Sequence, residues 1–99
     1  MKKFAFILMG ANYDPAVHTS EFLVGDSMTS IYTVRDFEEA RARVLACAAD
    51  GFGVIELCGA FGEEKTRELI ALTEGKVGIG FVVHLPEQDS IFEHFFNRN

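Results

Sequence analysis

A single α/β domain with a mostly parallel sheet is the fold class this sequence predicts. Three observations carry that reading. Apolar runs bounded by glycine or by polar residues, at 3–10, 52–58 and 76–84, read as strands. Between them lie segments of helical length with apolar residues at 3.6-residue spacing and recognisable start and stop signals. Strands that alternate with helices in this way need crossovers, and crossovers make the strands parallel. The 99 residues have room for one hydrophobic core. Residues 1–99 are therefore read as one domain, with a sheet of about four or five strands, three helices and a possible edge hairpin at 21–34.

KFAFILMG (3–10) is continuously apolar, as expected of a central strand buried on both faces. The start MKKFAFILMGAN imitates a signal peptide, but its apolar stretch is short and the strand reading is preferred. ANYDPAVH follows as a loop, with Asp14-Pro15 a turn or helix-start signal. In EFLVGDSMTSIYTV (21–34), β-branched residues alternate after Gly25-Asp26, which can turn a hairpin. In RDFEEARARVLACAADG, Asp36 and Glu39 form a capping box. Phe37, Ala40, Val44, Cys47 and Ala48 then face inward, Glu39 and Arg43 pair outside, and Gly51 stops the helix.

FGVIELC (52–58) is the next strand. GEEKTRELIALTEG (62–75) is a second helix with Thr66, Leu69, Ile70 and Thr73 inward, Glu63 and Glu64 at its positive end and Gly75 closing it. KVGIGFVVH (76–84) is a strand. Pro86 opens a last helix, 86–99, whose Ile91, Phe92, Phe95 and Phe96 share one face. EEARARVL (38–45) and EEKTRELI (63–70) repeat at an offset of 25 residues, as do Gly53 and Gly78, which marks two successive αβ units.

Charge and composition narrow the function classes. The net charge is −6 and the nine basic residues are scattered, so the positive footprint of a nucleic-acid or anionic-membrane binder is missing. No apolar run approaches the ~20 residues of a spanning helix. Cys47 and Cys58 do not make a disulfide framework, which suits a reduced, cytoplasmic protein. Ten phenylalanines in so short a chain imply that some serve a subunit interface, in a dimer or larger homo-oligomer.

In open parallel sheets, ligands bind beyond the carboxyl ends of the strands. The polar residues expected there are Asn12, Tyr13, Asp14 and His18, then Glu56 and Cys58, then His84 and Gln88. Glu56 lies in an apolar strand, where a carboxylate is costly unless paired. It is either a structural partner of loop amides or cations, or a general base or ligand-binding carboxylate. Cys58 is a small apolar residue or, just before a helix, a nucleophile. Gly59–Gly62 is a tight connection with Phe61 plugging the core, or an anion cradle; it matches neither GxGxxG nor a Walker loop. Gly78 and Gly80 bare one face of their strand, which lets a helix or ligand approach. His18, Glu56, Cys58 and His84 lack the local spacing of a metal site, and no cofactor is expected.

Three functions compete. The first is an oligomeric module holding a small polar or anionic ligand with Asn12, Glu56, Cys58, Gly59, Gly62 and His84. The second is a structural or interaction subunit that uses its Phe-rich helix as the interface. The third is a small lyase- or isomerase-type enzyme with Glu56 and His84, or Cys58, as reacting groups.

KKFAFILMG, YDP, VRDFEEA, ELCGAFGEE and the closing VVH…EQDSIFEHFF resemble a small bacterial family known as a domain of unknown function, over nearly the whole length. ELCGAFGE is its most specific piece. The resemblance implies a compact, cytoplasmic, stand-alone domain and brings no activity or catalytic residues with it.

Overall fold

The computed structural model describes residues 1–97. Among these, five strands form one sheet: β1 (Lys2–Met9), β2 (Ser20–Val24), β3 (Ser27–Val34), β4 (Val54–Leu57) and β5 (Gly78–Phe81). The helices are α1 (Phe37–Ala49), α2 (Gly62–Leu72) and α3 (Asp89–Phe96), the last entered through a 3-10 turn at Pro86–Gln88. The sheet order is β2-β3-β1-β4-β5, parallel throughout except for the β2–β3 hairpin at the edge. The expected α/β class, the strand count, the three helices and the edge hairpin are all present.

Local chemistry explains the elements. Gly25 takes φ +58° in the two-residue hairpin turn, a conformation that favours glycine. Asp36 caps α1 by accepting from the Glu39 amide at 2.9 Å, and Glu39 accepts in return from the Arg35 amide at 2.7 Å. Gly51 and Gly75 follow α1 and α2 with φ of +85° and +70°.

From β3 onward the chain crosses β1 to reach β4 and then steps on to β5, always in one direction. Crossovers of one hand then leave α1 and α2 on the same side of the sheet. There they meet, with Arg41 of α1 donating to Glu68 of α2 at 3.0 Å. Ala5, Ile7, Ile55 and Leu57 point toward these helices and are fully buried, with Ala40, Val44, Cys47 and Leu69 closing the core over them.

Among the described residues, no helix lies over the other face. Following the register, it carries Phe4, Phe6 and Leu8 of β1, Phe22 and Val24 of β2, Thr29, Ile31 and Thr33 of β3, Val54 and Glu56 of β4, and Gly78 and Gly80 of β5. Phe4, Phe6 and Leu8 are half-buried, while Phe22 and Val54 are exposed. The expectation that β1 is buried on both faces is therefore corrected. Its apolar continuity is real, but both crossovers cover the same side.

Other expectations are adjusted in detail. Ile70 is exposed rather than inward, whereas Thr66, Leu69 and Thr73 are buried. Glu39 pairs with Arg35 instead of Arg43, whose guanidinium lies over the Tyr32 ring, 4.1 Å from its centroid. β5 stops at Phe81 because β4 offers it only four partners, and Val83 beyond is exposed. The last helix is a 3-10 turn followed by α3, with its expected end at 98–99 outside the described residues.

Candidate functional site

The parallel ladders continue past the strand ends and bring them to a common rim. Gly10 donates to Val34 O at 3.0 Å, Cys58 to Ile7 O at 3.0 Å and Val82 to Leu57 O at 2.9 Å. The polar residues scattered in sequence are thus carried to one edge of the sheet, as parallel topology requires. At the rim they separate into distinct groups.

Cys58 joins two strand ends. Its Sγ accepts from the Met9 amide at 3.3 Å, and the residue packs against the main core. Gly59 follows, where an added Cβ would stand 3.5 Å from Val82 O. Gly62 starts α2 with φ +70°, and its carbonyl accepts from Thr66 Oγ1 at 2.7 Å. Glu63 and Glu64 occupy the first turn of α2. Carboxylates there satisfy the positive helix end and oppose a second anion.

Glu56 lies on the open face, across the ladder from Gly80. Its carboxylate leans over that glycine so closely that a Cβ there would meet Oε1 at 2.5 Å. Among the described residues it has no hydrogen-bond or ion-pair partner. His84 belongs to another group: its Nε2 is 2.7 Å from Asp89 Oδ1, and its ring stacks on Phe92 with centroids 3.8 Å apart. It ties the β5 exit to α3. Glu56 and His84 form no hydrogen bond with each other.

Asn12 is in a third group. With Gly10, Ala11, Tyr13 and His18 it lines a cavity of about 310 Å³. His18 Nδ1 accepts from the Asp14 amide at 2.8 Å, which leaves Nε2 to carry the proton of the neutral ring. Tyr13 packs edge-on to His18 at 5.9 Å. A neighbouring cavity of about 410 Å³ lies between Asp14–Ala16, the end of β3 and α1, with Arg35, Glu39 and Arg43 on its wall. Arg35 donates through Nε to Glu39 at 2.9 Å. That hydrogen bond, reinforced by the Arg35 amide, holds the Glu39 carboxyl below the usual range and raises the Arg35 guanidinium. Its charge is largely answered before any ligand arrives.

No group of three or more metal-ligating side chains comes together among the described residues. Within the same residues, no helix is long and apolar enough to cross a membrane.

The largest unexplained feature is apolar surface, and the sequence reading captured only the α3 half of it. Phe95 and Phe96 are 61% and 72% exposed, and Ile91 and Phe92 share their face. Among the described residues, the main contacts of α3 are its 3-10 entry and the His84 ring. The open sheet face was hidden in the sequence, because the order of strands decides which side the helices take. The repeat of two αβ units, read with one crossover hand, is the signal that could have shown it.

Fold and surface together define a two-layer α/β domain with helices on one side and an open, largely apolar sheet on the other. The chain belongs to a family of unknown function, DUF6506, whose model matches residues 2–97. Comparison with curated proteins and with solved structures gives no match.

Proposed function

We propose that this chain is the subunit of a homo-oligomer, an interaction module whose open sheet face and last helix are covered when copies associate. The uncovered sheet face carries the reading. A domain of this size normally hides its apolar strand residues beneath a second layer. Here Phe4, Phe6, Leu8, Ile31 and Val54 have none, and α3 presents four more large apolar side chains to water. Contiguous apolar surface on this scale marks an interface. Size-exclusion chromatography with light scattering tests it. The wild-type mass should be a multiple of the 11.0 kDa chain. Changing Phe95 and Phe96 to serine should lower it while circular dichroism loses no more than the signal of the eight-residue α3. An unaltered mass in that variant would count against the helix as adhesive surface.

The cavity beside Asn12, Tyr13 and His18 supports a second role, in which the module holds a small polar or anionic molecule at the rim. His18 Nε2–H and the Asn12 amide are the donors it would use. Thermal-shift screening with carboxylates and phosphates tests this role, and His18→Ala should abolish any stabilisation found. The absence of a shift with every acid would remove it.

A further inference from the structure

Two glycines on β5 have no conformational need for glycine within their own chain. Gly78 and Gly80 bare the open face at the edge of the sheet, beside Val54 and Glu56. Neither has the positive φ that would call for glycine. A Cβ at Gly78 would make only ordinary contacts, 3.5 Å to Val54 Cγ2 and 3.7 Å to Gly53 O. At Gly80 it would meet the far end of the Glu56 side chain, which can swing aside. Glycine inside a strand weakens it unless another backbone approaches closely. Among the described residues, only the Glu56 side chain lies over Gly80, and no helix covers either glycine on that face.

The same chain carries a surface that suits this track. α3 is eight residues long, and isolated helices of fewer than ~12 residues are marginal in water, so its apolar face needs a partner to persist. The linker before it is extended, with Leu85 at φ −69°, ψ 142° and Pro86 next. We infer that α3 of one copy docks on the open β4–β5 face of a second copy, along the Gly78–Gly80 track, and that the exchange is reciprocal. This rests on the self-association proposed above and names its occupant.

Area favours reciprocity. With phenylalanine side chains offering ~150–250 Å² each, the exposed part of Ile91, Phe92, Phe95 and Phe96 amounts to roughly 450 Å². One docked helix with its seat then covers roughly 900 Å², short of the ~1,200–2,000 Å² of stable interfaces, whereas two reach roughly 1,800 Å².

Complementation tests the exchange. A helix variant, Phe95→Glu with Phe96→Glu, and a seat variant, Gly78→Lys, should each be monomeric by sedimentation velocity. Their equimolar mixture keeps one intact helix facing one intact seat, so it should form a heterodimer, at least tenfold weaker than the wild-type dimer. Val54→Lys on the same face replaces Gly78→Lys if the latter loses its circular dichroism signal. A helix variant that remains dimeric overturns the exchange but leaves self-association standing through the sheets alone. Seat variants that both remain dimeric overturn the seat. A mixture that stays monomeric at millimolar concentration overturns the helix-on-seat contact, and a heterodimer as tight as the wild-type dimer overturns reciprocity. A wild-type monomer at that concentration overturns the reading beneath the exchange as well.

Discussion

Replacing Gly78 with alanine should move two properties in opposite directions. In the isolated chain the new methyl group meets Val54 Cγ2 at 3.5 Å and Gly53 O at 3.7 Å, both ordinary contacts, and φ is not in the left-handed region. Nothing must shift. Removing the flexibility of glycine from the unfolded chain then stabilises the fold by about 0.4–1 kcal/mol. For a chain of this length that raises Tm by roughly 2–8 °C. In the associated form the same methyl group stands on the track where the partner's helix lies, and the dimer should weaken about tenfold, or ~1.4 kcal/mol. Urea unfolding in the Phe95→Glu, Phe96→Glu background isolates the first effect. Sedimentation of the single variant reports the second. A loss of monomer stability would refute the reasoning, because it would mean that the glycine face is already packed within its own chain.

Four further outcomes follow from the local chemistry. Asp36→Ala removes the α1 cap and should cost about 1 kcal/mol, lowering Tm by roughly 4–8 °C. Burial pushes the Cys47 thiol from an ordinary value of 9.0 up to about 11. The folded state thus prefers the neutral thiol, so this contribution is complete below pH ~9 and is lost as pH rises toward 11, by up to roughly 2–3 kcal/mol. Cys47→Ala should lack that alkaline loss in urea titrations, and half-buried Cys58 should label with a thiol reagent before Cys47 in the native protein. Because the Arg35 hydrogen bond holds Glu39 low, its small contribution is present above the ordinary glutamate range and fades as pH falls through the lowered value. Carboxyl NMR titration should show Glu39 rising toward the ordinary range in Arg35→Ala and stopping short of it, because the backbone amide at position 35 still donates to its carboxylate.

The hairpin, the helices and the parallel sheet were legible because each is written locally. Gly25-Asp26 turns the hairpin, Asp36 and Glu39 cap α1, and the glycines at 51 and 75 follow their helices. What could not be read depends on strand order. The sequence of β1 is apolar at every position from Phe4 to Met9, which describes equally well a strand under two helical layers and one with helices on a single side. Only the order β3-β1-β4-β5 decides between them, by placing α1 and α2 on one side. The candidate site shows the same limit. Parallel strands do carry Asn12, Cys58 and His84 to one rim, but the side chains are spent locally: Cys58 on the Met9 amide and His84 on Asp89 and Phe92. Glu56 turns to the open face, opposite a glycine whose partner is across the ladder and far away in sequence.

Amide hydrogen exchange across a range of protein concentrations tests the central claim most directly. Protection of residues 89–96 should appear together with added protection of β4 and β5 as concentration rises, because the short helix persists only when it is seated. Amides of α3 that exchange freely while the protein is fully associated would contradict the account.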